Sequence, residues 1–350
     1  MHDSNLERCA ALPPLLLAFA MRMCMTADEA VHVYRRLCPQ RRFNKAIVHA
    51  LADRNGLFAL ECAPPHLLDS FTIVHAAVKN NGLALQHASE RLKDNPLIVL
   101  RATKQSGLSL KFASARFRAN KKLVLDALRS FHVDQNSSRS SSKPRSNSSN
   151  TRLLFEQVHP DLQNDFDVVL AAVGNDGHSL QHASPKMRNN RQVAAAAINQ
   201  APLALRHAST NLQSDRDFVI NAVSKNGLAL AFASQLCRAD AGVVLAALVN
   251  NGFALQYASD ALKRQTHLVL AAVKQNGNAL QFASDECKNS MDVVLEAINS
   301  NFEAVRFASM EMQQTPQVKL RVCAARHNHQ TNNTCGRSTS VMLLSNSETL

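Results

Sequence analysis

Tryptophan is absent from this 350-residue chain, tyrosine occurs twice, and aromatic residues make up only 5% of it. An interior with so few rings must be aliphatic and alanine-rich, which suits closely packed helices. Glycine numbers ten, and no phosphate-binding glycine loop, nucleophile elbow or metalloprotease pattern occurs. Long apolar runs are also missing. The run Ala10 to Met21 covers twelve residues, is interrupted by Pro13-Pro14, and is too short to span a bilayer. It lacks the basic n-region of a secretory signal, since Asp3 and Glu7 precede it, although Ala18-Phe19-Ala20 has the small-x-small look of a cleavage site. A buried capping helix is the better reading of it.

Eight cysteines are present, but they are scattered along a long, well-patterned chain rather than set in a disulfide framework. Cys237 and Cys287 stand where other repeats carry leucine, Cys62 where they carry His or Phe, and Cys323 where they carry Val or Ile. All four read as small buried hydrophobes, and a reducing compartment, cytoplasmic or nuclear, follows.

What the chain has in abundance is a period. An Ala-Ser pair recurs at Ala88-Ser89 and Ala113-Ser114, then from Ala183-Ser184 through Ala208-Ser209, Ala233-Ser234, Ala258-Ser259 and Ala283-Ser284 to Ala308-Ser309, always 25 residues apart within a run. A fixed period of that length marks a stacked array in which each repeat buries its core against its neighbours. Repeats start near Phe43 and continue from Ser70, Asn95, Asn120, Asp165, Asn190, Asp215, Asp240, Gln265 and Ser290, with a partial one at Thr315, making about ten in all.

Each repeat can be read physically. Its first residue is nearly always Asp, Asn, Ser or Thr, because a short side-chain oxygen accepts the orphan N–H groups of a first helical turn. Pro96 and Pro316 follow one place later, where a missing N–H costs nothing. Val243, Val244, Ala247 and Leu248 form one apolar helical face by spacing. The helix ends at Asn-Gly or a close variant, and that glycine is expected to be a left-handed residue turning the chain back. A short second helix follows, as Phe253 to Ala258. Then comes a break at the Ser, because Pro65, Pro160 and Pro185 occupy the next position and a mid-helix proline is expensive. The Ser is therefore the cap of a third, single-turn helix that carries Leu92, Leu212 or Leu262 into the core.

The marker spacing widens to 45 between Ser114 and the His159 that replaces the next Ser. The added residues centre on the serine-rich stretch Ser137 to Ser146, read as a solvated loop by composition, with phosphorylation beside Arg139, Lys143 and Arg145 as the sharper alternative. The expected organisation is thus N-terminal capping helices over 1–42, repeats over 43–135, a disordered insertion over 136–152, repeats over 153–328 and a polar tail over 329–350. In the first of these, Thr26 and Glu29 have the spacing of a capping box.

The net charge of +12 is unevenly placed: Lys and Arg number 23 against 13 acids over 1–164, but 12 against 13 over 165–313. Nucleic-acid binding would have to use the basic first half, with Arg35, Arg36, Arg41, Arg42, Lys121 and Lys122. Six repeats carry a basic residue near their end, at Lys93, Arg118, Arg188, Arg238, Lys263 and Lys288. A cation there offsets the local helix dipole, and in stacked repeats it could also form a stripe for an acidic partner. Gln86, Gln181, Gln256 and Gln281 make a parallel row, and His87, His182 and His207 share one position with Phe112, Phe232, Tyr257, Phe282 and Phe307. That equivalence points to a planar side chain filling a packing slot; stacking of bases is the functional alternative. Cys323, His327, His329 and Cys335 fit no common zinc spacing.

The run Leu268 to Ser284 resembles the repeat of the domain-of-unknown-function 4116 family, and the resemblance extends over Phe43 to Gln314 outside the serine-rich stretch. It implies an uncharacterised helical repeat and brings no catalytic residues. Pro202 and Phe302 depart from the pattern at the glycine position. The combined expectation is an all-α solenoid without enzymatic activity, needing no cofactor, metal, membrane or small-molecule substrate. Its partner would be another protein, with RNA bound by the basic half as the alternative.

Overall fold

The structure, a computed structural model, describes residues 12–137 and 146–326, and every regular element among them is helical. The chain divides into an N-terminal block, Met1–Ala196, and a C-terminal block, Ala197–Leu350. Within each block successive repeats stack helix against helix.

The repeat beginning at Asp240 shows the design. Its first helix, Ala241–Asn250, is capped by Asp240, which accepts from the Val243 N–H at 2.9 Å, and it buries Val243, Val244, Ala247 and Leu248. Asn95, Asn120, Asp165, Asn190 and Asp215 cap their own helices in the same way, whereas Ser70, Gln265 and Ser290 make no such bond. Ser114 and Ser259 make no side-chain cap bond, but the other serine caps form: Ser89, Ser184, Ser209, Ser234, Ser284 and Ser309 accept from the N–H three residues on. All but the last of these start a single turn that buries one apolar residue, Leu92, Met187, Leu212, Cys237 or Cys287.

The expectation of a left-handed glycine needs correction. No described glycine has a positive φ. Gly252 is instead the first residue of the second helix, capped by Asn251, whose Oδ1 accepts from the Phe253 N–H at 2.9 Å. Glycine is required by proximity: a Cβ on Gly82, Gly227, Gly252 or Gly277 would lie closer than 3.0 Å to the carbonyl oxygen of Ala102, Ala247, Ala272 or Ala297 in the next repeat. The second helix, moreover, is a 3-10 helix six residues long, as in Gly252–Tyr257 and Gly277–Phe282. Such runs are unusual in length. Here the three-residue period aligns Gly252, Leu255 and Ala258, all buried, on one line. The first repeat has one residue more and places Leu60 four after Gly56 rather than three; its second helix, Gly56–Glu61, is accordingly α-helical.

The stretch expected as a loop over 136–152 is helical where it is described. One helix spans Lys121–Ser137 and another Ser146–Glu156, the latter burying Thr151, Leu154 and Phe155 in the slot that a 3-10 helix fills elsewhere. Residues 138–145, the tail from 327 and residues 1–11 lie outside the described part.

At the start, the capping box forms in both directions, with Glu29 N–H to Thr26 Oγ1 at 3.3 Å and Thr26 N–H to Glu29 Oε2 at 2.7 Å. The helix Pro14–Met23 packs on Lys45–Arg54 through Leu17, Ala18 and Met21, while Leu15, Leu16, Phe19 and Met23 remain exposed. Cys237 and Cys287 are buried, but Cys62 and Cys323 are exposed. Cys62 caps the α-helical second helix of the first repeat, and Cys323 lies where no described repeat follows to cover it.

Candidate functional site

The six basic residues Lys93, Arg118, Arg188, Arg238, Lys263 and Lys288 all end a single-turn helix, and all are half-buried. For five of them the backbone is tied to the following repeat. In the N-terminal block the Lys93 carbonyl accepts from Ser114 N–H at 3.1 Å and the Arg118 carbonyl from His159 N–H at 3.3 Å; in the C-terminal block the Arg238, Lys263 and Lys288 carbonyls accept from Ser259, Ser284 and Ser309. The position is thus held by main-chain bonds whatever its side chain.

The side chains then divide by chemistry. Each lysine has an acid three residues earlier and pairs with it: Lys93 with Glu90 at 2.9 Å, Lys263 with Asp260 at 3.2 Å, and Lys288 with Asp285 at 3.7 Å. The arginines have Ala115, Pro185 and Gln235 there instead. Arg118 donates to the Gln157 carbonyl at 3.0 Å, and the Nε atoms of Arg118, Arg188 and Arg238 are buried without an acceptor. The lysine rungs are therefore neutralised locally, and no uniform basic stripe runs along the position.

The basic residues of the first half are similarly dispersed. Lys121 is held between Asp165 at 2.8 Å and Asp167 at 2.7 Å, Arg35 lies over the Phe58 ring, and Arg42 donates to the Arg35 carbonyl. Among the described residues no three His, Cys, Asp or Glu side chains converge as metal ligands, and His327, His329 and Cys335 lie outside them.

A different row keeps its side chains half-exposed. The 3-10 helices of the C-terminal block stack one on the next, which brings Phe232, Tyr257, Phe282 and Phe307 into register, each half-buried. Phe282 meets Phe253 of the preceding repeat edge to face, with centroids 6.2 Å apart. The residue before the ring covers it: Arg306 lies 4.7 Å from the Phe307 centroid and, in the N-terminal block, Lys111 lies 4.6 Å from Phe112. Where the ring is His87 or His182, Gln86 or Gln181 hydrogen-bonds it, at 2.9 and 2.7 Å. Burial holds His182 below the ordinary histidine range, against the pull of Glu156, so its imidazole is neutral at neutral pH. The pairing is confined to those two repeats, since Gln256 and Gln281 precede Tyr257 and Phe282 and His207 follows Arg206.

These features repeat because the sequence repeats. A family described as a domain of unknown function (DUF4116) matches the chain six times, over residues 44–93, 71–118, 147–188, 190–238, 240–286 and 267–313. This chain belongs to the DUF4116 family. No curated protein matches it. Within the DUF4116 repeat, the residue before the Asn-Gly cap is one that the sequence pattern left without a role. Asn80, Gln105, Asn250, Gln275 and Ser300 each accept the backbone N–H of the preceding repeat's glycine, at 2.6 to 3.0 Å. Its one visible signal was a side chain that stays polar and hydrogen-bonding in repeat after repeat. Pro202 has no N–H to offer, and its DUF4116 repeat is followed by one with Lys225, which bonds Asn199 instead.

Proposed function

We propose that this DUF4116 protein is a non-enzymatic scaffold that binds another protein along the 3-10 face of its array. The observation that carries the reading is the row Phe232, Tyr257, Phe282 and Phe307, one half-exposed ring per repeat, held in register by stacked backbone. Partly exposed aromatics, here with Arg306 beside Phe307, are what protein interfaces concentrate. The repeated Ser, Asn, Gly and Asp, by contrast, are engaged as caps and cross-repeat ties, which leaves them no catalytic role. Over 165–313 the charges nearly cancel, a poor match to a phosphate backbone. In the basic half Lys121 is already paired with carboxylates.

The test uses the whole chain as bait in lysate of its own cells. A saturable protein partner is expected, lost with Tyr257→Ala and Phe307→Ala but retained with Val249→Ser, an exposed position on a first helix. Retention by the row variants, or the absence of any saturable protein, rejects the reading. Capture that nuclease abolishes, with affinity falling steeply with salt, supports RNA binding in its place.

A further inference from the structure

The N-terminal block contains a cavity of about 350 Å³ lined by Tyr34, Arg35, Arg42, Phe43, Phe58 and Cys62. It lies between the capping helix Ala27–Arg36, the turn Pro39–Arg42 and the second helix of the first repeat, Gly56–Glu61. Its size is in the range of small-molecule sites.

The walls combine rings with guanidinium groups. Tyr34 and Phe58 meet edge to face with centroids 6.0 Å apart, and the Arg35 guanidinium carbon sits 5.1 Å above the Phe58 ring. Phe43 is 46% exposed and forms part of the rim. The Tyr34 hydroxyl donates to the Arg42 carbonyl at 3.2 Å, which fixes the turn that brings Arg42 in. The Arg42 Nε is buried and has no acceptor.

None of the lining residues is acidic. Burial, with Cys62 adding, pushes the Tyr34 phenol up, and burial together with the neighbouring Glu61 pushes the Cys62 thiol up, so both are neutral at neutral pH. Two guanidinium groups thus face a cavity whose own walls supply no counter-charge, and a buried N–H without an acceptor is costly. Aromatic walls favour a flat apolar body in the same space.

We propose that this cavity binds a small aromatic anion, its phosphate or carboxylate on Arg35 and Arg42 and its ring against Phe58 and Phe43. The site is independent of the scaffold surface, which uses the other block. A guanidinium offers a carboxylate or phosphate two parallel donors, and the Arg42 Nε then gains the acceptor it lacks.

Phenyl phosphate is the probe, titrated calorimetrically into the full-length protein against inorganic phosphate and phenol. Saturable binding is expected, tighter for phenyl phosphate than for either fragment. Arg42→Gln and Arg35→Gln should each weaken it about 10- to 100-fold. Phe58→Leu should weaken phenyl phosphate and leave inorganic phosphate unchanged. Equal affinity for phenyl phosphate and phosphate, or an unchanged affinity in Arg42→Gln, overturns the proposal. Because Arg42 also shapes the turn, a second reading uses the unaltered protein: phenyl phosphate should slow alkylation of Cys62 by iodoacetamide, mapped by mass spectrometry, while exposed Cys24 and Cys38 react as before. Unprotected Cys62 at saturating probe overturns it equally.

Discussion

Gln275 reaches back across a repeat boundary to Gly252, its Oε1 accepting the glycine N–H at 2.6 Å while its Nε2 donates to the Asn250 carbonyl at 3.4 Å. One side chain thereby satisfies a donor and an acceptor that the junction between the first helix and the 3-10 helix leaves over. Asn250 does the same for Gly227, with 2.8 Å to the glycine and 3.1 Å to the Ser224 carbonyl. The tie links residues 23 apart, so it welds neighbouring repeats rather than a single helix.

Gln275→Leu keeps the volume and removes both bonds, leaving the Gly252 N–H without a partner. A loss of about 1–3 kcal/mol is expected in urea unfolding. Gln275→Asn should cost less, because asparagine already serves at position 250.

Gly252→Ala places a methyl against the Ala272 carbonyl and should destabilise by about 1–3 kcal/mol, as overpacking does. Gly174→Ala is the control. A Cβ there meets nothing within 4 Å, and the residue is exposed near a helix end. That substitution should raise stability by about 0.5–1 kcal/mol. A left-handed role for Gly252 would instead predict that Gly252→Asn is tolerated, and the steric role predicts that it is not.

Ser184 caps Met187 and donates to Asn164 at 2.7 Å, whereas the Ser259 Oγ is buried with no partner because Ala239 stands where Asn164 stands for Ser184. Ser184→Ala should cost about 0.5–2 kcal/mol, the usual worth of a cap. Ser259→Ala should be close to neutral. Ala239→Asn should supply the missing acceptor and raise the unfolding midpoint, and in that background Ser259→Ala should become costly.

The Asp240 carboxylate is held below its ordinary value of 3.8, chiefly by the Val243 N–H it accepts, with burial opposing and Arg216 at 3.0 Å adding to the effect. A depressed folded-state pKa contributes stability that is present above the unfolded value and lost as pH falls through the folded one. Asp240→Asn keeps the cap but not the charge. The stability difference between the two proteins should be constant at neutral pH and shrink as pH drops below about 4. A difference that persists unchanged at pH 2 would show that the carboxylate's charge contributes nothing.

Sequence alone determined the helical array, its period, the caps at Asp240 and Ser184 and the register of the apolar positions. These depend on contacts within one turn of helix, and short-range spacing records them directly. Tertiary structure alone decided why glycine stands at 252, since the obstruction is an alanine carbonyl twenty residues later. It likewise decided that the second helix is 3-10, although Gly252, Leu255 and Ala258 carried that period in plain sight. The split of the basic ladder was legible in the acid that stands three residues before each lysine, but the burial of the arginine Nε atoms emerged only in three dimensions, because burial is set by the neighbouring repeat.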